Sequence, residues 1–342
     1  MGEFMFQTKT LYEIAKNSDI RINEPMSLHT TFRIGGPADI FIEVNDIEEF
    51  ASIIRYLQKE ECRYFIMGNG SNLLVDDKGY RGIIISTMGK SSNKHLSGKK
   101  FVTALDDICI YDKCSSMEAV FFAEKGYSYN ADRLKFKNLV HAGSGVLLSK
   151  LASVVCENGF AGFEFAGGIP GTIGGAVAMN AGAYGGEVKD VIEGARVITG
   201  RGDIVVLKKD ELEMSYRKSI IQAGHIIILD ALFAFKSGDK EQILSKMKEF
   251  NDQRKSKQPL EYGSAGSTFK RPEGHFAGKL IQDAGLKGYR CGDIMVSEKH
   301  SGFIVNVGNG TFEQAMNVIS HVKDEVMKNS GVSMELEVKV LS

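Results

Sequence analysis

The segment from Gly162 to Glu187, GFEFAGGIPGTIGGAVAMNAGAYGGE, sets nine glycines among small apolar residues. Glycine at that density serves a backbone that must take φ > 0 or approach another group so closely that a Cβ would collide. Both needs point to a ligand, because free N–H groups in such turns form anion-binding concavities and the Ala and Gly surface accepts the bulk of a molecule. A flexible linker would instead be Gly/Ser-rich and polar. This run has no serine and carries Ile169, Ile173, Val177, Met179 and Tyr184, so it is read as packed.

Composition narrows what the ligand is. The 342 residues are enough for two or three lobes, since one core rarely grows past about 250 to 300 residues. Charge is balanced, 42 Lys+Arg against 43 Asp+Glu, and no basic stripe argues for nucleic acid. The densest basic patch, Arg254 to Lys257, reads as a solvated helix end. No apolar run spans a bilayer and no signal peptide opens the chain, where MGEF before Met5 looks like an expression remnant. The five cysteines (Cys62, Cys109, Cys114, Cys156, Cys291) include no CxxC pair, and the seven histidines form no HExxH. No disulfide framework and no protein-bound metal are expected, which suits a cytoplasmic protein.

Hydrophobic period places the elements. Phe50, Ile53, Ile54 and Leu57, with Asp46 and Glu49 at capping spacing, predict a helix from Asp46 to Glu60. The strand Tyr64 to Met67 runs into the turn GNGSN, a second way to present N–H groups, and Gly82 to Ser86 is a further strand. A helix is expected around Ser116 to Lys125. A third glycine turn, Gly143-Ser144-Gly145, follows a strand through Leu139 to His141 and precedes a helix from Leu147 to Asn158 stopped by Gly159. Val191 to Ile198 and Ile204 to Leu207 form a hairpin, His225 to Phe235 a strand, and Lys240 to Arg254 a helix. Thr311 and Gln314 cap a helix from Phe312 to Lys328, and Ser333 to Leu341 alternates as one half-buried strand.

The glycine turns, with TTFRIGGPA from Thr30 to Ala38, resemble the two-lobed α+β FAD-binding domain of vanillyl-alcohol-oxidase (PCMH) type flavoproteins; no GxGxxG opens a helix as in a Rossmann fold. Within that superfamily the chain is similar to the UDP-N-acetylenolpyruvoylglucosamine reductases. The likeness rests on HTTFRIGGPAD, GNGSNLLV, GFEFAGGIPGTIGGAVAMNAGAYG, SYRKS, KQPLEYGSAGSTFKRPEG, FAGKLIQDAGLKG, KHSGFIVN and LEVKV, spread over nearly the whole chain. It implies FAD-binding lobes at residues 1–86 and 87–237, an α+β substrate domain at 238–330, and a C-terminal strand at 331–342. It also implies non-covalent FAD, NADPH as reductant, and reduction of UDP-N-acetylglucosamine enolpyruvate to UDP-N-acetylmuramate for peptidoglycan and the cell wall. A monomer is expected.

Carried over residue by residue, the resemblance gives three catalytic positions: Arg217 in SYRKS, Ser267 in AGSTFKRP and Glu337 in LEVKV. The implied reaction adds hydride to C3 of the enolpyruvyl alkene and leaves negative charge between C2 and the carboxylate. A guanidinium suits that carboxylate, and a serine hydroxyl within reach can protonate the strongly basic C2. An ionised Glu337 would repel the anion, so it acts protonated, through Arg217, or through a water. Judged singly, an Arg, a Ser and a Glu are surface residues; within three separate motifs they read as functional.

FAD contacts are expected from Thr31, Arg33, Gly35, Gly36, Gly68, Asn69, Gly70, Ser71, Asn72, Leu73, Gly143, Ser144 and Gly145, and along the glycine run from Gly167, Gly168, Ile169, Pro170, Gly171, Thr172, Gly174, Gly175, Ala178, Asn180, Gly182, Ala183 and Tyr184. Substrate contacts are expected from Tyr216, Lys270, Arg271, Lys279, Gln282, His300 and Asn306, because two phosphates and a carboxylate require cations.

The passage from Phe235 through one helix to KQPLEYGSAGSTFKRP resembles the family's second type, which lacks a substrate-capping segment. The chain departs from the family in an apparent insertion near residues 100–140, read as ordered. An oxidase or dehydrogenase of the same superfamily would share the first lobes and lack the AGSTFKRP and LEVKV pair. A non-catalytic flavin or UDP-sugar binder would keep the glycine turns and lose the trio.

Overall fold

Alternating apolar residues and amphipathic helices build the structure, a computed structural model that describes residues 9–89, 104–111, 138–224 and 226–342. The helix expected at Ser116 to Lys125, most of the apparent insertion, and His225 lie outside the described residues. The elements that bear on the site run, in chain order, β1 (Asp19–Pro25), β2 (Pro37–Glu43), α1 (Ile47–Lys59), β3 (Tyr64–Met67), β4 (Leu73–Val75), β5 (Tyr80–Ser86), β6 (Ile108–Tyr111) and β7 (Asn138–Gly143). Next come α2 (Leu148–Glu157), β8 (Phe160–Ala161), α3 (Ile173–Ala178), β9 (Gly182–Ala183), β10 (Gly186–Glu187), β11 (Ile192–Ile198), β12 (Ile204–Lys208) and β13 (Ile227–Ser237). The remainder are α4 (Lys240–Lys257), β14 (Gly263–Ser267), α5 (Ala277–Asp283), β15 (Arg290–Cys291), β16 (Ile294–Val296), β17 (Phe303–Asn306), α6 (Phe312–Ser330) and β18 (Lys339–Leu341). The fold is α+β. None of the described helices is long and apolar enough to cross a membrane.

The chain divides into two compact units. The first holds Met1–Ile20, Ile42–Gly68 and Ile85–Asn251. Its main sheet runs β12-β11-β13-β7-β6, antiparallel throughout, with β8 paired to the end of β13. β13 is central and buried on both faces from Ile227 to Phe235, and Phe233 and Phe235 meet Phe163 at 6.0 and 5.8 Å between ring centroids. In α1, the Asp46 carboxylate accepts the Glu49 N–H at 2.8 Å, and Phe50, Ile53, Ile54 and Leu57 are all fully buried, as the spacing predicts.

The second unit holds Arg21–Phe41, Asn69–Ile84 and Asp252–Ser342. Its sheet runs β14-β17-β16-β15, and α6 covers it with Ala315, Val318, Ile319, Val322 and Val326. The capping box at Thr311 and Gln314 forms in both directions, and Gly331 closes the helix at φ 70°. β18 pairs in parallel with β4. Strands β1, β2, β5 and β3 lie in that order in a four-stranded sheet.

Two expectations need correction. Ser333 to Leu341 is not one strand: Leu336 bridges to Phe269 and the Glu337 N–H goes to Thr268 O, whereas the Lys339 N–H goes to Asn72 O as β18 begins. The segment changes partner between Glu337 and Lys339, and the ladder breaks there. Arg254 is not a solvated helix end but is 8% exposed, because it continues the inner stripe Ile243, Met247, Phe250 of α4.

Candidate functional site

The turn after β7, the start of the α3 glycine run and the end of β3 meet in the first unit. Gly68 ends β3 against Thr172, so close that an added Cβ would lie 2.2 Å from Thr172 Oγ1. Gly174 donates its N–H to Ser144 O at 2.8 Å and Ile173 to Val146 O, while Leu148 donates to Gly171 O, lacing the start of α3 to the turn after β7. The N–H groups of Gly143, Ser144 and Gly145 all donate to main-chain carbonyls, of Asp107, Leu229 and Leu105. That turn therefore offers no free N–H; a Cβ on Gly145 would stand 1.9 Å from Thr87 O. What it does offer is a hydroxyl. Ser144 and Thr172 are each 1% exposed, and neither hydroxyl has a hydrogen-bond partner among the described residues. Two unpaired buried donors fit an anionic, oxygen-rich ligand, while the glycines let the turns approach one another. Along the same run Gly167 lies against Met247, Gly168 and Ile169 are half-buried, Pro170 and Gly175 are exposed, and Ala178 O accepts the Ser219 hydroxyl at 2.6 Å.

Arg217 belongs to the same unit. Ser215 and Lys218 exchange main-chain hydrogen bonds, making a tight turn with Tyr216 and Arg217 at its tip. Arg217 sits at φ 54°, is half-buried, and donates from Nη2 to Gly182 O at 3.2 Å. Gly182 and Ala183 pair with Glu187 and Gly186 in the β9–β10 hairpin, whose tip is Tyr184 at φ 52° and Gly185 at φ 84°. Tyr184 stacks on Phe250 at 4.5 Å and 3°, lining a cavity of about 430 Å³. Asn180 is fully buried and its amide is engaged internally. Tyr216 is half-exposed, with the Arg217 guanidinium 5.2 Å from its ring centroid.

Ser267 and Glu337 belong to the second unit, which brings their main chains together. β14 pairs Ser264 with Val305 but Ser267 with Phe303, a bulge of one residue formed at Gly266, φ 78°. Bulges re-aim side chains, and this one leaves Ser267 exposed beside buried Thr268. The Glu337 N–H donates to Thr268 O at 2.9 Å, placing the half-buried glutamate one residue from the serine across the pairing. The TTFRIGG and GNGSN segments join here. Thr31 Oγ1 donates to Ser264 O at 2.6 Å, and Asn72 Nδ2 donates to Glu337 O at 3.1 Å. Cβ atoms on Gly36 and Gly70 would lie 2.0 Å from Asp77 O and His29 O, and one on Gly35 would lie 2.8 Å from Val75. Arg33 is exposed at φ 59°, Asn69 and Ser71 are half-buried, and Leu73 is buried in β4.

The expected substrate residues are disposed unevenly. Lys270 pairs with Glu335 at 3.2 Å, and Lys279 with Asp283, on the surface; Gln282 is exposed. Arg271 donates to His275 O and lies 3.9 Å from the centroid of Phe276, which is 62% exposed. Phe276 carries no periodicity signal and was not singled out by the sequence. His300 accepts from the Gly302 N–H through Nδ1, and burial holds its pKa below the ordinary value. Asn306 is buried, donating to Phe32 O and accepting from Gly308 and Gly310.

Sequence reading also missed a buried ionic triad. His141 Nε2 lies 2.7 Å from Asp230 Oδ1, and Arg196 Nε donates to Asp230 Oδ2 at 2.8 Å, across β7, β13 and β11. Burial alone would raise the Asp230 pKa; the charge and hydrogen bond of His141, then of Arg196, outweigh it and hold the carboxyl below its usual range.

Residues 258–341 match the family profile described as the C-terminal domain of UDP-N-acetylenolpyruvoylglucosamine reductase, and residues 131–208 match an FAD binding domain. The chain is 45% identical over 331 residues to UDP-N-acetylenolpyruvoylglucosamine reductase of Lachnoclostridium phytofermentans, covering 97% of this chain and 96% of the relative. It is 42% identical over 341 residues to the protein of the same name from Clostridium kluyveri, covering 100% and 99%. The crystal structure of UDP-N-acetylenolpyruvylglucosamine reductase from Thermus caldophilus superposes with a TM-score of 0.69 at 32% identity, over 95% of this chain and 99% of that one. With agreement over the full length in sequence and fold, the chain belongs to the UDP-N-acetylenolpyruvoylglucosamine reductase family.

Proposed function

We propose that this chain reduces UDP-N-acetylglucosamine enolpyruvate to UDP-N-acetylmuramate, a step of peptidoglycan precursor synthesis, with NADPH as reductant and FAD as cofactor. One observation carries the residue-level reading. The bulge at Gly266 and the Glu337–Thr268 hydrogen bond put the expected proton donor and the expected glutamate on adjoining backbone, in a segment that matches the family's C-terminal domain.

The residues present fit FAD. The Ser144 and Thr172 hydroxyls, buried and unpaired in the first unit, would hold it. Bound FAD supplies the hydride acceptor and donor that no side chain provides. The chain's own groups do the rest. Arg217 holds the substrate carboxylate as charge develops on it. Ser267, exposed at the bulge, delivers a proton to C2. Glu337, whose carbonyl and N–H are both tied to neighbouring segments, is set to orient or resupply that proton.

Residues 1–86 and 87–237 are proposed as the FAD lobes and 238–330 as the substrate domain. A cytoplasmic monomer without nucleic-acid or membrane partners completes the proposal, supported by balanced charge. The test is anaerobic: reduce the purified flavoprotein with NADPH, add the enolpyruvate substrate, and follow flavin absorbance. Return of the oxidised spectrum without oxygen is expected. Flavin that stays reduced until air enters would favour an oxidase of the same superfamily.

A further inference from the structure

Seven non-glycine residues among those described have φ in the left-handed region, and three of them, Asn180 (44°), Tyr184 (52°) and Arg217 (54°), belong to one hydrogen-bonded constellation. Such strain persists only where surrounding contacts over-determine it, and it concentrates at functional positions. Asparagine tolerates the region; tyrosine and arginine adopt it less readily. Something must therefore hold the Ser215–Lys218 turn and the β9–β10 hairpin in place.

Asn180 touches both. Its Nδ2 donates to Ser215 O at 2.9 Å, at the base of the turn that carries Arg217. The same amide nitrogen donates to Glu187 Oε2 at 3.2 Å, on the hairpin whose Gly182 carbonyl accepts from the Arg217 guanidinium. Its Oδ1 accepts the Lys189 N–H at 2.9 Å, which fixes the orientation of the amide. A second strap runs alongside: Ser219, 2% exposed, donates its hydroxyl to Ala178 O at 2.6 Å. The side chain of Asn180 is fully buried and its amide is taken up by Ser215, Glu187 and Lys189, so it meets protein rather than ligand.

We propose that Asn180 is the positioning residue for Arg217: one buried amide fixes both the turn that presents the guanidinium and the carbonyl that accepts from it. The inference rests on reading Arg217 as the group that holds the substrate carboxylate. Asparagine is suited to this task because one NH₂ can reach two acceptors while its carbonyl takes a third bond. Aspartate has nearly the same shape, but it would set a carboxylate against Glu187 and Ser215 O and lose both donated bonds.

The experiment compares Asn180→Asp and Ser219→Ala, each alone and combined with Arg217→Ala, in the FAD-loaded enzyme. Flavin content and the rate of flavin reduction by NADPH are expected to stay within about twofold of the parent, because both side chains are buried and hydrogen-bonded to protein, which corrects the expectation that Asn180 contacts FAD through its side chain. Anaerobic reoxidation by the enolpyruvate substrate is expected to slow roughly 10- to 100-fold in Asn180→Asp, and less in Ser219→Ala, as a misplaced binding group would cause. In the Arg217→Ala background neither change should slow it further, because the group they position is gone. Effects that multiply fully in that background would overturn the inference, leaving Asn180 a general structural residue. If Arg217→Ala alone leaves reoxidation unchanged, the reading of Arg217 fails first, a result distinct from the one that sinks Asn180. Should Asn180→Asp not fold, Ser219→Ala decides by the same criterion.

Discussion

Thr172 shows how a single side chain separates stability from function. Its hydroxyl is buried, lies at the start of α3, and neither caps that helix nor meets another partner among the described residues. An unsatisfied buried hydroxyl costs about 1–3 kcal/mol. Thr172→Val keeps the branched shape and removes that cost. The flavin-free variant is therefore expected to gain about 1 kcal/mol in urea unfolding, while the dissociation constant for FAD rises about tenfold, equivalent to about 1.4 kcal/mol. A variant that loses stability and binds FAD as before would show that the hydroxyl has no role toward the cofactor. At this scale the sequence displayed the catalytic candidates, because Arg217, Ser267 and Glu337 stand inside distinctive motifs. It could not display the work of Asn180 or the identity of Arg217's acceptor. Those depend on carbonyls of Ser215 and Gly182, main-chain atoms that every residue possesses and no residue type advertises.

Among the elements, the sheet of the first unit is pinned by Asp230 as well as by apolar packing. Asp230 on β13 is fully buried between His141 of β7 and Arg196 of β11. Removing one member of such a set leaves buried charge uncompensated, so Asp230→Asn is expected to destabilise the fold by about 3 kcal/mol at neutral pH. The pH dependence follows from the direction of its shift. A carboxyl held below its unfolded value, about 3.9, contributes its full stabilisation above that pH and loses it as pH falls through the folded value. Urea unfolding from pH 7 to 3 should show the difference between parent and Asp230→Asn constant down to about pH 4 and shrinking below it. A difference that grows on acidification would contradict the assignment. The elements most legible in the sequence were those with local signals: the Asp46 and Thr311 caps and the Gly159 stop all appear in the structure. The Ser333–Leu341 segment was misread as one strand because alternation reports which face is buried, and Met334 and Val338 are indeed buried, with Leu336 and Val340 half-buried. It does not report that the hydrogen-bonding partner changes at Glu337.

For the whole molecule, the second unit is assembled from three separated stretches, Arg21–Phe41, Asn69–Ile84 and Asp252–Ser342. Which stretches join is decided by pairings such as β18 with β4 and Thr31 with Ser264, and these have no local signature. A chain ending at Val338 would lose β18 and with it the Lys339–Asn72 and Asp76–Leu341 main-chain bonds. Limited proteolysis of that truncation is expected to cut within residues 69–84 and 252–338 at a protease level the full chain resists, while the α2–β13 region stays protected. Equal resistance of both chains would mean that β18 contributes little to the second unit.

The parallel pairing of β18 with β4 also governs the order in which this protein can be made. During synthesis β4 leaves the ribosome long before its partner, and about 260 residues must follow before Lys339 arrives to face Leu73, taking roughly 13 to 52 seconds at common elongation rates of about 5–20 residues per second. For that interval an apolar strand, Leu-Leu-Val, waits without its strand partner. The early stretches of the second unit are thus expected to be the most exposed to aggregation before synthesis ends, so that the yield of folded protein depends on that wait as well as on the stability of the finished fold.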